Sequence, residues 1–343
     1  VLKLKRFFTY FFPIVFFMFF LSGCGSKNGS SPVERTDFML DTVISIRLYD
    51  GTGAQLDTCM NMIRDYDALF SDTDPDSDIS RINASDSFVT VDPETIALLN
   101  TAISYADASD GLFDPAIGAI TELWDFHSEE EVIPDDALLR EAAATVDCDN
   151  IHIAGEEVMT DGSTRIDLGG IAKGYITDRL RDYLVSEGVT SASISLGGNV
   201  YIIGEKPVQS FSLLSKSLSE PFTVGIQKPF SDDGTPACTI QVRDKSVVTS
   251  GVYQRYFKKD GHLYHHLLDT ATGYPIENGL YSVTIISDDS VDGDALSTAV
   301  FAMGLSRGLD YVENLPGIEA IFITDTNDIH TSSGMDAYNI NIY

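Results

Sequence analysis

Two hydrophobic rhythms follow one another along this chain, and their order limits the folds open to it more than any other feature. Between residues 55 and 184 the apolar side chains recur mostly at helical spacing. From Ser193 onward they come mainly as short runs rich in β-branched and aromatic residues. Leu56, Met60, Ile63, Tyr66 and Phe70 share one face of a helix expected over residues 55–70. Asp92-Pro93 reads as an N-cap followed by proline in the first helical position. It opens a helix with the stripe Ile96, Leu99, Ile103 and Ala106, which Gly111 stops. Further helices are expected over 135–144, 171–184 and 295–303. Strands are expected over 38–49, 193–196, 200–203, 222–226, 238–242, 281–287 and 320–324, and a hairpin turns at Asp260-Gly261. Regular βαβ alternation is missing, so the expected class is α+β (mixed α/β), with mixed or antiparallel sheets flanked by helices, rather than a doubly wound sheet. Neither a repeat nor a Pro/Gly-rich linker follows residue 36, and one compact body over 37–343 is the simplest organisation.

Ahead of that body lies a leader. Residues 1–6 are basic, residues 7–21 are almost unbroken apolar, and Leu21-Ser22-Gly23-Cys24 follows. This order marks an export signal over 1–23, the apolar run being shorter than the ~20 residues a membrane-crossing helix needs. An uncleaved signal anchor is the alternative. The tetrapeptide LSGC is similar to the lipobox of bacterial lipoproteins. That similarity implies a lipidated Cys24, with residues 24–36 as a flexible tether holding the body at the extracytoplasmic face of the cell membrane. Cys59, Cys148 and Cys238 remain, an odd number without CxxC spacing. They read as buried small hydrophobes rather than as a zinc site or disulfide framework.

Charge narrows the ligands. The 22 Lys+Arg stand against 52 Asp+Glu, a formal net charge of -30, and loss of the leader removes Lys3, Lys5 and Arg6 as well. So acidic a chain with no basic stripe repels a phosphate backbone, and nucleic acid is not an expected partner. An anionic small ligand needs a local cation or a helix N-terminus.

The P-loop, dinucleotide-binding, HExxH and GxSxG signatures are absent, and the aspartate-rich loop at 71–80 lacks EF-hand spacing, so it reads as a solvated turn. Five other stretches bear on chemistry. In Arg165-Ile-Asp-Leu-Gly-Gly-Ile-Ala-Lys-Gly-Tyr175 two glycines open a helix, and Lys173 sits in the first turn, where the helix dipole disfavours a cation. A bound phosphate explains that lysine; a solvated lysine is the plain alternative. Ser195-Leu-Gly-Gly-Asn199 is a second glycine turn, between strands. Asp294 and Thr298 are four residues apart, hence on one helix face, and suit Mg²⁺ as hard oxygen donors; Asp294 serves equally as a helix cap. His262 and His266 alternate with His265 on a strand, which disfavours a zinc triad. His266 is a candidate base or clamp, and His262 and His265 read as surface histidines. Gly111-Leu-Phe-Asp-Pro115 offers Phe113 to stack on a planar ring and Asp114 to accept a hydrogen bond from it, or else a packing aromatic and a turn.

In order along the chain, MLDTVISIRLY, SDTDPDSDISRIN, GLFDPAIG, IDLGGIAKGY, SLGGN, VGIQKP, VVTSGVYQRYF, HHLLDTATGYP and DALSTAVFAMG resemble the ApbE family, the FAD:protein FMN transferases. The resemblance covers nearly all of 37–343. It implies an FAD cleft between two lobes of a single body. It also implies a Mg²⁺-dependent enzyme that takes FAD as substrate, releases AMP and places FMN on a Thr or Ser of an extracytoplasmic redox protein. Carried over residue by residue, the metal site falls on the Gly170 carbonyl, Asp294 and Thr298, with Ser297 adjacent. FAD contacts fall on Leu40, Thr73, Leu112, Phe113, Asp114, Asp167, Lys173 and Leu268; Ser250 and Gly251 of a TSG turn line the same cleft. His266 becomes the base or phosphate clamp, and Asp294 shares the catalytic role through the metal. This chain departs from the family at Leu40-Asp41 (often Met-Gly), at Thr73 (often aromatic), at Thr270 (usually proline) and in a longer stretch over 206–221. A Mg²⁺-dependent FAD pyrophosphatase and a flavin-binding surface lipoprotein without turnover are the other readings.

Overall fold

The stretch over 38–49 is two strands rather than one. β1 (Val33–Met39) and β2 (Thr42–Leu48) pair antiparallel through a turn at Leu40 and Asp41, whose φ values are 54° and 53°. Positive φ at both central residues gives the turn the twist of its strands. Leu-Asp carries none of the Asn-Gly signature of such turns, so the alternation reads straight through it. The body therefore starts at Val33, inside the stretch expected as tether. The computed structural model describes residues 31–124, 126, 131–208, 218–231 and 234–343. The leader, Cys24 and the tether to residue 30 lie outside the described residues, as does 209–217.

Next come α1 (Gly53–Phe70), α2 (Asp78–Asn83), β3 (Val89–Thr90) and α3 (Pro93–Ala108). α1 opens on a capping box between Thr52 and Gln55, and the Asp92 carboxylate accepts the Glu94 N–H at 2.8 Å to open α3. The buried face of α3 is Thr95, Leu98, Leu99, Ala102 and Ala106, rotated from the expected stripe so that Ile96 and Ile103 are only half-buried. The aspartate loop is not wholly a solvated turn. Ser77 caps α2, and buried Asp78 accepts the Asp92 N–H at 2.8 Å and the Thr95 hydroxyl at 2.7 Å. α4 (Gly118–Trp124), α5 (Asp136–Ala143), the hairpin of β4 (Ile151–Ala154) and β5 (Glu157–Thr160), and α6 (Ala172–Ser186) complete the helical half.

The second half runs β6 (Ser191–Leu196), β7 (Asn199–Gly204), β8 (Lys206–Val208), β9 (Leu218–Glu220), β10 (Phe222–Gln227), β11 (Pro236–Val242), β12 (Lys245–Gly251), β13 (Tyr256–Lys259) and β14 (His262–His265). Then follow β15 (Leu280–Ser287), α7 (Ser290–Val312), β16 (Glu319–Thr324), β17 (Ile329–Thr331) and β18 (Asn341–Ile342). α7 outlasts the helix expected over 295–303, bending at Gly304, where φ is 76°.

Eight strands form one antiparallel sheet in the order β1-β2-β6-β7-β12-β15-β16-β17. One face buries Ile44, Ile46, Ile194 and Leu196 against α1 and α6. The other buries Val247, Ile286, Ile321 and Ile323 under the small β10-β11-β18 sheet, through Ile226, Cys238 and Ile240. β12 is thus a central strand covered on both faces, and Ser250 and Gly251 end that strand instead of forming a turn. A smaller core joins α4, α5 and the β13–β14 hairpin around Trp124, whose Nε1–H donates to the Gly273 carbonyl at 2.7 Å. The three remaining cysteines are free and buried, as expected of small hydrophobes. The body is α+β with antiparallel sheets and flanking helices.

Candidate active site

The site is set where α7 slots between α6 and the sheet. A β-carbon on Gly174 would stand 2.5 Å from the Ser290 carbonyl oxygen and 2.8 Å from Asp294 Cβ. One on Gly293 would stand 2.8 Å from Val248 Cγ2. Glycine at 174 admits the α7 backbone, and glycine at 293 leaves room for the Val248 side chain of β12. Asp294, 5% exposed, lies in the second turn of α7, so it does not cap its own helix. Its Oδ2 accepts the Gly174 N–H at 2.8 Å and so caps α6, whose N-cap residue Ile171 offers no side-chain acceptor. The half-buried Thr298 is one turn further, its Oγ1 3.3 Å from Ser250 Oγ. Ser297 is fully buried: its hydroxyl donates to the Asp294 carbonyl at 3.0 Å and lies 2.8 Å from Ser250 Oγ. Ser297 and Ser250 thus pin α7 to β12, and Asp294 and Thr298 are the donors α7 presents.

The loop before α6 supplies the facing wall. Asp167 Oδ1 accepts the Gly169 N–H at 2.7 Å, and the Asp167 N–H donates to the Pro115 carbonyl at 2.8 Å. A β-carbon on Gly170 would be 3.1 Å from the Phe113 ring and 3.8 Å from Thr298 Oγ1, so this backbone passes close to the α7 donors. A carboxylate, a hydroxyl and a peptide carbonyl form a hard donor set, which fits Mg²⁺. The Lys173 ammonium donates to the Gly169 carbonyl at 2.8 Å and lies 3.9 Å from Asp294 Oδ2. The cation in the first turn of α6 is accordingly explained by a buried carboxylate across the helix crossing.

Phe113 is 5% exposed and its ring edge is spent on Gly170, so it is a packing aromatic and presents no face for stacking. Leu112 beside it is half-buried. Asp114 is buried; its two oxygens accept the Ala116 N–H at 2.8 Å and the Cys148 N–H at 3.2 Å, and burial raises its pKa. It lines a cavity of about 420 Å³ with Gly111, Asp147, Cys148, Thr270 and Ala271. Thr270, where proline is usual, donates its hydroxyl to the Gly111 carbonyl at 2.9 Å and so ties the two walls together.

The histidines separate differently from the expectation. His265 is a core residue, 3% exposed: its Nε2 lies 3.2 Å from the Ile276 carbonyl, its Nδ1 accepts the Leu267 N–H, and its ring packs on Phe301. Burial takes its pKa down to about 4. The surface reading fails because β14 turns that face towards α7. His266 Nδ1 lies 3.3 Å from the Arg255 carbonyl. Desolvation first, then the positive charges around it, take its pKa down to about 3. A neutral ring facing a carbonyl donates from Nδ1 and keeps its lone pair on Nε2. That state leaves the Nε2 lone pair to accept a proton and excludes a cationic clamp, while so low a pKa makes the ring a weak base in the free protein. Leu268 is buried and bridges to Pro275.

The outlying positions are placed as follows. Leu40 sits in the β1–β2 turn, half-buried, with its N–H held by the Asp67 carboxylate. Exposed Thr73 lies 3.1 Å from Ser71 Oγ and presents no aromatic surface. Gly197 and Gly198 make the expected glycine turn, both at positive φ. Sequence reasoning passed over Gly174 and Asp178, which carry no local signature: a helical glycine and a helical aspartate become informative only once α7 is laid across them.

A model described as the ApbE family matches residues 40–322. An FAD:protein FMN transferase of Treponema pallidum (strain Nichols) is 33% identical over 92% of this chain and 91% of its own length. Its counterpart in Klebsiella pneumoniae (strain 342) is 35% identical over 86% and 90%. The crystal structure of the ApbE protein from Thermotoga maritima superposes with a TM-score of 0.79 at 33% identity, covering 90% of this chain and 99% of that one. The flavin transferase ApbE from Vibrio cholerae gives 0.77 at 25% identity, covering 90% and 99%. With the family model spanning most of the chain and close relatives matching it nearly end to end, this protein belongs to the ApbE family.

Proposed function

We propose that the chain is a Mg²⁺-dependent FAD:protein FMN transferase, and the observation that carries the reading is Asp294, a buried carboxylate capping α6 with Thr298, Gly170 and Lys173 around it. FAD brings a pyrophosphate to a protein with a formal net charge of -30, so local cancellation of charge is required. The oxygens of Asp294, Thr298 and Gly170 would hold Mg²⁺, which would supply charge neutralisation at the pyrophosphate. Lys173 adds a second positive charge at that place, and its present contacts with Gly169 and Asp294 keep it there before substrate arrives. His266, neutral, accepts the proton of the acceptor Thr or Ser hydroxyl at Nε2. The hydroxyl oxygen bonds to the FMN-side phosphorus, and the bond to the AMP-side oxygen breaks. Most of the rate in such a transfer comes from positioning and charge stabilisation. Asp167 and Asp114 shape the walls that hold the dinucleotide.

The address is part of the proposal. The Leu21-Ser22-Gly23-Cys24 sequence supports lipidation at Cys24 and an extracytoplasmic redox protein as acceptor. Among the described residues no helix is long and apolar enough to cross a membrane.

The test is incubation of the protein with FAD, Mg²⁺ and a candidate acceptor, read as flavin fluorescence on a denaturing gel and as acceptor mass. An FMN-sized adduct is expected. Free FMN with an unlabelled acceptor makes the protein a pyrophosphatase, and intact FAD makes it a carrier.

A further inference from the structure

α6 and α7 exchange caps. Asp178, in the second turn of α6 and 7% exposed, accepts the Ser290 N–H at 2.8 Å and the Val291 N–H at 2.9 Å, the first free donors of α7. Asp294, in the second turn of α7, returns the bond to the Gly174 N–H at 2.8 Å. Neither helix caps itself, because Ile171 and Asp289 make no side-chain cap bond. Each helix start is therefore held by a carboxylate from the other, and the two starts cannot shift independently. Arg181 braces the pair from outside, 3.0 Å from Asp178 Oδ1 and 2.7 Å from Asp289 Oδ1, with its guanidinium over the Tyr201 ring.

This clasp lies between the two parts of the proposed metal site. Gly170 precedes α6 by two residues, and Asp294 and Thr298 follow the start of α7 by one and two turns. We infer that Asp178 is a positioning residue for the divalent ion. Its two bonds fix α7 along α6 so that the Asp294 carboxylate and Thr298 hydroxyl meet the Gly170 carbonyl. Asp178 touches neither ion nor substrate, and its effect passes through Asp294. The inference rests on the metal site described under the proposed function.

The test measures Mn²⁺ binding to the protein without FAD, by the electron paramagnetic resonance signal of free Mn²⁺, in the wild type, Asp178→Asn and Asp178→Ala. Removing a group hydrogen-bonded to a metal ligand typically costs ~10–100-fold in affinity. Asp178 acts one step further out, through the start of the helix that carries two ligands, so the low end of that range applies. Asp178→Ala is expected to weaken Mn²⁺ binding about 10-fold or more, at unchanged stoichiometry. Asp178→Asn, which keeps one acceptor oxygen, is expected to fall between. A merely structural role would lower the bound fraction by unfolding some molecules and would leave the midpoint where it was. Activity against Mg²⁺ concentration is expected to shift in parallel and to recover at high Mg²⁺. Wild-type Mn²⁺ affinity in the variants overturns the positioning role alone, with Asp178→Asn deciding if Asp178→Ala does not fold. A wild-type protein that binds no divalent ion overturns the metal reading beneath it, and this inference with it.

Discussion

Gly174→Ala tests the helix crossing on which the site depends. The added β-carbon would stand 2.5 Å from the Ser290 carbonyl oxygen, 2.7 Å from Val291 Cα and 2.8 Å from Asp294 Cβ. Two of these atoms are backbone, so no side-chain rotation relieves the contact. The helices must part by roughly 0.5–1 Å to regain van der Waals separation. Overpacking of this kind costs ~1–3 kcal/mol. Separation also stretches the Gly174 N–H bond to Asp294, a cap worth ~1 kcal/mol. Against both stands the helix preference of alanine over glycine, ~1 kcal/mol. The net is a loss of about 1–3 kcal/mol, or a fall in Tm of about 2–6 °C for a protein of this size. Activity should suffer more than stability, because the displaced group is Asp294 itself. The Mg²⁺ concentration for half-maximal transfer should rise at least ~10-fold. The assays are a thermal melt and a Mg²⁺ titration of FMN transfer. Gly53→Ala is the control: it makes the same change at a helix start, with no atom within 4 Å of the new carbon. If Gly174→Ala melts at or above the wild-type temperature and keeps the wild-type Mg²⁺ requirement, the crossing does not hold the site.

Asp294→Asn keeps an oxygen for the Gly174 N–H but loses the charge. Its Tm should stay within about 2 °C of wild type while transfer falls ~100-fold or more and excess Mg²⁺ fails to restore it fully; wild-type turnover would remove Asp294 from the site. Both His265 and His266 have pKa values depressed below the unfolded 6.5, so the unfolded chain takes up their protons first. Their contribution to stability is therefore complete above about pH 6.5 and lost as pH falls towards 4 and 3. An imidazole NMR titration of the free protein should find both rings neutral at pH 6, and a His266 midpoint near 6.5 would refute its neutral state. Asp41→Gly relieves a φ of 53° and removes a like charge near Asp67, and a melt should show a gain of about 0.5–1.5 kcal/mol. An unchanged or lower Tm would show that the turn is unstrained as it stands.

Sequence alone determined what depends on neighbours along the chain. Helix starts at Asp92 and Asp135, the Asp260-Gly261 hairpin and the glycine turn at 197–198 were all legible, because caps and positive-φ turns are read over four residues or fewer. The pairing of Asp294 with Thr298 was legible for the same reason, as one helix face. Tertiary structure decided the rest. The partner of Asp294 is a backbone N–H 120 residues away, and Asp178 reaches across 112 and 113 residues to open α7. No local pattern encodes such distances. Nor could alternation along β14 tell which histidine faces the core, since that depends on where α7 lies. β12 was hidden because a central strand beneath a close-packed helix needs small residues, and Ser246, Ser250 and Gly251 resemble a turn until α7 covers them. Residue chemistry supplied the carboxylate, the hydroxyl and the carbonyl, and the meeting of two glycine-lined helices brought them to one place.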